Sequence, residues 1–130
     1  MFVHLSSRAL IRVSGSDAET FLQGQLSNDI NKLDSSSVQL NAYCQHQGKI
    51  LSLFWVVRND KEFFLSLPLD LLESIKSRLQ MFVIMSDVVI EDITTEYIQV
   101  GSIGEAHQKA LVINEKLSLI IADNKHSAER

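Results

Sequence analysis

The sequence has almost nothing that breaks or cross-links a chain: one proline, five glycines and one cysteine in 130 residues. So little proline and glycine leaves no room for a long disordered linker. The single cysteine, Cys44, allows neither an intramolecular disulfide nor a cysteine-based zinc site. Positive charge is also scarce, with 12 Lys and Arg against 16 Asp and Glu and a formal net charge of −4. That balance argues against broad binding to nucleic acid through phosphate neutralisation, so no direct nucleic-acid partner is expected. No apolar run approaches the roughly 18 residues that span a bilayer. The longest, Ile50 to Val57, is interrupted by Ser52. Met1 to Leu5 has neither the basic start nor the apolar stretch of an export signal. The expected setting is cytoplasmic, without a membrane partner.

What is present suits a soluble globular fold. Hydrophobic residues make up 45% and charged residues 22%, enough for the core of one compact domain. The expected domain covers residues 1–122, followed by a frayed polar tail at 123–130.

Ala9 to Val13 reads as a strand, punctuated by Ser14-Gly-Ser-Asp17. Ser16 and Glu19 have the spacing of a capping box, which predicts a helix from Asp17 to Gly24. Ala18, Phe21, Leu22 and Gln25 fall on one of its faces. Leu26 to Ile30 reads as a turn or short helix capped by Ser27 or Asn28. Val38 to His46 alternates as a strand. Val38, Leu40, Ala42 and Cys44 form its expected core face, and Gln39, Asn41, Tyr43 and Gln45 its polar face. Gln47-Gly48 makes a turn, Lys49 to Arg58 returns as an apolar strand, and Glu62 to Leu67 follows after Asn59-Asp60.

Pro68 is expected to open a helix to Val83, with Leu69, Leu72, Ile75, Leu79 and Phe82 as its buried stripe. Val88 to Ile93 and Tyr97 to Val100 read as strands. Lys109 to Ile113 and Leu117 to Ala122 read as a hairpin about Asn114-Glu115. Meanders in place of βαβ units predict an α+β fold with helices packed on an antiparallel sheet.

Chemistry-bearing clusters are few. His4, His46, His107 and His126 are scattered and no ligand cluster appears, so no metal is expected. Gly101-Ser-Ile-Gly104 is too sparse for a dinucleotide loop. Cys44 and His46 form the one Cys/His pairing, and Cys44 is expected to be core packing. Trp55, in an apolar strand, is expected in the core as well.

Two stretches carry a family resemblance. Arg8-Ala-Leu-Ile-Arg-Val-Ser-Gly-Ser-Asp-Ala-Glu-Thr-Phe-Leu-Gln-Gly-Gln-Leu-Ser-Asn-Asp-Ile30 is similar to the opening signature of the YgfZ and glycine-cleavage T-protein superfamily. Ala42-Tyr-Cys-Gln-His-Gln-Gly-Lys-Ile-Leu-Ser52 resembles that family's hairpin, which carries a Lys-Gly-Lys/Arg tip. The spacing agrees through Glu91. The resemblance implies the folate-binding fold of the T-protein and TrmE type. It also implies tetrahydrofolate or a derivative as ligand, and a role in maturation or repair of iron–sulfur enzymes and in tRNA modification. The Lys-Gly-Cys-Tyr-x-Gly-Gln-Glu motif of the family's second half is absent. The chain therefore resembles the N-terminal repeat alone.

The family's aminomethyltransferases depend on an aspartate just after the hairpin tip, where Ser52 and Leu53 stand here. Serine cannot supply that charge, so a non-catalytic folate-binding role is expected over one-carbon transfer. A folate needs a flat slot, polar groups for the pterin edge and cations for its glutamate tail. The expected folate-binding residues are Gln23, Gln25, Asn28 and Asp29 at the helix exit, Asn41, Tyr43 and Gln45 on one strand face, and Lys49 and Arg8 as cations. Arg8 stands where some YgfZ-like members have an aromatic residue, and arginine can stack on a flat ring or grip a carboxylate. The expected partners are a folate and iron–sulfur proteins. The rival reading is a degenerate repeat that binds a protein and self-associates, the exposed repeat interface being covered in an isologous homodimer.

Overall fold

The structure, a computed structural model, describes residues 2–35, 37–45, 47–103, 111–112 and 117–123, and the side chains of residues 5–35, 37–45, 47–101 and 121. Its elements in chain order are β1 (Phe2–His4), β2 (Arg8–Ser14), α1 (Ala18–Gln25), a one-turn helix (Ile30–Lys32), β3 (Val38–Cys44), β4 (Ile50–Asn59) and β5 (Glu62–Pro68). A second one-turn helix (Leu69–Leu71), α2 (Leu72–Met81), β6 (Val89–Asp92), β7 (Tyr97–Ile103), β8 (Leu111–Val112) and β9 (Leu117–Asp123) complete them. The histidine rings at 4, 46, 107 and 126, the expected turn at Asn114-Glu115 and the tail beyond Asp123 lie outside the described residues. Asp123 itself pairs with Tyr97 in β9.

The fold is α+β, as the patterning predicts, with two antiparallel sheets where one was expected. Five strands form the order β3-β4-β5-β2-β6, and four form β1-β7-β9-β8. Both helices cover one face of the five-stranded sheet. The core there joins Ala9, Ile11 and Val13 of β2, Phe63, Leu65 and Leu67 of β5, Ala18 and Leu22 of α1, and Leu72, Ile75 and Leu79 of α2. The four-stranded sheet lies on the other face, where Leu10, Val57 and Phe64 meet Tyr97 and Ile121. The Phe64 and Tyr97 rings are 5.4 Å apart.

A sheet buried on both faces needs its polar groups matched internally. Between the two sheets, Ser66 donates to the Gln99 side-chain carbonyl, and the Gln99 amide donates to the Ala9 carbonyl at 3.1 Å. Arg8 joins this network, donating to the Ser66 carbonyl at 2.7 Å with its guanidinium 5.0 Å over the Trp55 ring. Trp55 is half-buried against the second cluster. Burial lowers the Arg8 guanidinium from its ordinary value.

The expected capping box does not form. Ser16 donates its hydroxyl and its backbone N–H to the Asp87 carboxylate at 2.7 and 2.9 Å, and Glu19 accepts from Arg58 at 2.6 Å. A carboxylate delivered from the α2–β6 loop out-competes the local pairing. Asp17 precedes α1 without capping it through its side chain. Its carboxylate accepts from the Asp87 backbone N–H at 2.7 Å, while its own N–H donates to the Asp87 carbonyl at 3.0 Å. The short helix after α1 starts at Ile30, capped by Asp29 in place of Ser27 or Asn28. The second helix also differs from expectation. Pro68 ends β5 and α2 stops at Met81; Leu72, Ile75 and Leu79 of the expected stripe are buried, while Leu69, in the one-turn helix before α2, and Phe82, at the C-cap after it, are exposed because they lie outside the helix.

Gly15 makes the clamp possible. Its φ is +108°, and a Cβ there would stand 2.2 Å from the Asp87 carbonyl oxygen. Gly15→Ala is expected to destabilise the fold by more than ~2 kcal/mol in urea denaturation, since strain and a backbone clash combine. The Ser16 N–H and hydroxyl hold the Asp87 carboxyl below its ordinary 3.8. A depressed carboxylate stabilises the fold above its unfolded value and loses that contribution as pH falls through the folded one. Asp87→Asn should therefore lower Tm at neutral pH, and its deficit against the parent should shrink on acidification below 3.8.

Candidate functional site

The site begins with a slip in the β3–β4 hairpin. The strands pair from Val38↔Val57 to Tyr43↔Ser52, and then Cys44 pairs with Ile50. Leu51 is the extra residue of this bulge, and a bulge re-aims side chains. Leu51 packs toward the helix-side core. At the tip, Gly48 has φ +88°. Gly48 donates its N–H to the Gln45 carbonyl, and Gln45 donates to the Lys49 carbonyl, each at 2.9 Å. These bonds hold Lys49 at the mouth of a cleft.

The cleft has a volume of about 550 Å³, within the ordinary range for small-molecule sites. Lys49, Ile50 and Leu51 form its hairpin wall, and Leu71, Ser74, Ile75, Ser77, Arg78 and Met81 its helical wall. The lining is mostly apolar, with one cation on each wall. The ion pairs among the described residues engage Arg12 and Arg58, and none engages Lys49 or Arg78. Arg78 lies 5.8 Å over the Phe82 ring. Tyr43 stands behind it, 2% exposed, with its ring stacked 5.8 Å from that of Phe54. The Tyr43 hydroxyl and the Arg78 Nε are buried without a hydrogen-bond partner among the described residues. The hydroxyl is near enough to feel the guanidinium, yet burial dominates and raises its pKa above the ordinary 10.0.

Of the residues expected to bind folate, Lys49 lines this cleft and Tyr43 backs it. Gln45 braces the tip. Arg8 is on the opposite face of the sheet, over Trp55. Gln25 ends α1, half-buried. The others form one network that fastens the α1 exit to β3. Ile30 donates its N–H to Gln23 at 2.8 Å, and Asn31 donates to Asp29 at 3.1 Å. Asn28 donates its N–H to the Asn41 side chain at 2.8 Å and its own side-chain amide to the Leu40 carbonyl at 3.0 Å.

The faces of β3 are reversed relative to the expected pattern. Asn41, 1% exposed, and Tyr43 point into the helix-side core, while Leu40 is 53% exposed and Cys44 is exposed rather than packed in the core. Asn41 is satisfied inside by Asn28 and by Gln39, to which it donates at 2.9 Å. Ser52, across from Tyr43, is buried. Leu53, across from Ala42, is exposed on the other face.

Sequence reasoning missed Arg78 and the helical wall. A signal was present: Arg78 follows Leu71 by seven residues and Ile75 by three, so helical spacing sets a cation on the apolar side of α2. Among the described residues, no group of three or more His, Cys, Asp or Glu is placed to hold a metal. No helix there is long and apolar enough to cross a membrane.

A domain with this two-sheet, two-helix arrangement and a hairpin-tip cleft is T-protein-like. A crystal structure of the glycine cleavage system aminomethyltransferase T from Bartonella henselae matches 98% of this chain and 43% of that one, with a TM-score of 0.77 and 14% identity. The chain has the YgfZ-type, T-protein-like fold. Its relatives by sequence include an uncharacterised protein of Haemophilus influenzae, 32% identical over 95% of this chain and 46% of that protein. The tRNA-modifying protein YgfZ of Vibrio atlanticus is 27% identical over 96% of this chain and 42% of that protein. The mitochondrial iron–sulfur cluster assembly factor IBA57 homolog of Mycosarcoma maydis is 27% identical over 86% of this chain and 31% of that protein. The chain thus spans less than half the length of these relatives. No family model matches it.

The reversed faces of β3 set a stability ranking. Asn41→Ala, which strands the Asn28 N–H, is expected to cost about 1–3 kcal/mol in urea denaturation. Leu40→Thr, on the open side, should change stability by less than about 0.5 kcal/mol. The opposite ranking would restore the alternation read from the sequence.

Proposed function

We propose that this chain is a non-catalytic folate-binding domain of the YgfZ type that serves iron–sulfur enzyme maturation and tRNA modification. The observation that carries the reading is the cleft at Lys49. It lies at the hairpin tip that bears the family signature, and it joins an apolar slot to two cations without acidic partners. A reduced folate offers the complement, a flat ring system ending in glutamate carboxylates. The relatives, a tRNA-modifying protein and an iron–sulfur cluster assembly factor homolog, support the tRNA and iron–sulfur parts of the proposal. The non-catalytic part rests on Ser52 and Leu53. A hydroxyl and an alkyl group stand there, so neither supplies a carboxylate, and neither residue lines the cleft.

Calorimetric titration with tetrahydrofolate and 5-formyltetrahydrofolate tests the reading. Saturable binding is expected. Lys49→Ala should weaken it roughly tenfold, the worth of about one charge-assisted contact. No heat of binding up to millimolar ligand would overturn the folate proposal for this chain.

A second reading, self-association through an exposed sheet face, has its own observation. Leu40 and Leu53 are 53% and 49% exposed, and with Ala42 and Cys44 they make one apolar strip across the end of β3 and β4. An isologous pairing of two such strips would cover both. Sedimentation velocity is expected to show a concentration-dependent dimer that Leu53→Lys abolishes. A monomer at all concentrations removes this reading.

A further inference from the structure

We propose that Arg78, positioned by Tyr43, anchors the carboxylate end of the ligand in the cleft between the hairpin tip and α2. The proposal rests on the folate reading for the ligand's identity. Its own observations concern the charge and shape of the site.

Buried polar atoms are nearly always paired, yet the Arg78 Nε and the Tyr43 hydroxyl make no well-formed hydrogen bond among the described residues, and what the hydroxyl feels is the neighbouring guanidinium itself, through charge and a side-chain contact. Neither side chain is simply loose. Tyr43 is 2% exposed and stacked on Phe54, so its hydroxyl cannot swing to solvent. Arg78 is held between this hydroxyl and the Phe82 ring at 5.8 Å. An aromatic face attracts a guanidinium without neutralising it, so a full positive charge is presented to the cleft. Lys49 presents a second from the other wall. The planar guanidinium matches a carboxylate in a two-pronged contact, whereas the ammonium acts as a compact point charge.

The rest of the lining selects the kind of anion. Leu51, Leu71, Ile75 and Met81 border the same space, and a bare inorganic anion would leave that surface uncovered. The chemistry favours an anion on an apolar or aromatic body. In a folate this is the benzoyl-glutamate end, not the pterin. Tyr43 is a positioning residue in this account, since it acts through Arg78 and does not line the cleft.

The test compares fragments on the intact chain. 5-Formyltetrahydrofolate, p-aminobenzoyl-glutamate, a tetrahydropterin lacking the glutamate tail, and inorganic phosphate are each titrated. The benzoyl-glutamate fragment is expected to bind and to compete with the intact folate. Arg78→Gln should weaken both by about tenfold or more and leave the pterin fragment unaffected, and Arg78→Lys should recover part of the loss. Tyr43→Phe keeps the ring packing, so it should weaken the fragment by roughly threefold while Tm holds or rises, because a buried unpaired hydroxyl is removed. A purely structural Tyr43 would move Tm alone. Intact folate binding that is indifferent to Arg78→Gln sinks the anchor and leaves the folate reading standing. Fragment binding without intact folate binding supports the anchor and sinks the folate reading. Phosphate binding as tightly as the fragment overturns the assignment to an amphiphile. Binding by none of the four removes both.

Discussion

The approach of Gly15 to the Asp87 carbonyl sets the geometry on which everything else is built. At that point the end of β2 and the loop leaving α2 are close enough that no side chain fits between them. Four hydrogen bonds then run both ways between Ser16–Asp17 and Asp87. The contact joins the start of α1 to the segment after α2, so both helices lie on the same face of the five-stranded sheet. α2 is thereby held beside the hairpin tip, and the cleft exists because of that placement. The Gly15-Ser-Asp17 step is thus a structural device in this chain, and none of its residues lines the cleft.

Much of the architecture was legible in the sequence. Every strand expected up to Val100 is present, and the turns at Gly48 and at Asn59-Asp60 fall where they were read, with Asp60 at φ +58°. Local signals carried this: glycine or an Asx residue at a positive φ, and apolar periodicity on either side. The capping box failed because its two partners found better ones 71 and 39 residues away. No window of a few residues contains that information.

The reversal of β3 has a different cause. Alternation identifies the core face when one face of a strand is wet. β3 belongs to a sheet that is covered on both sides, by helices on one and by the second sheet on the other, where Val38 packs. Its polar residues could turn inward because Asn28 and Gln39 satisfy Asn41 there. Leu40 lies outside the cluster that Val38 joins, and is 53% exposed. The same inward turn put Tyr43 behind Arg78. Of the expected binding residues, Gln23, Asn28, Asp29 and Asn41 share a structural network between the α1 exit and β3, and the two nearest the cleft, Lys49 and Tyr43, come from the β3–β4 hairpin. Arg78 escaped notice because a lone cation on an amphipathic helix reads as solvated surface until the hairpin is packed against it.

In the proposed reading, the folate binds in the cleft between the hairpin tip and α2. Amide chemical-shift mapping during a titration with 5-formyltetrahydrofolate addresses it most directly. Perturbations are expected to concentrate at residues 48–51 and 71–81, with the α1 exit at 23–31 unmoved. Shifts centred on 23–31, or on the open strip of Leu40 and Leu53, would contradict it.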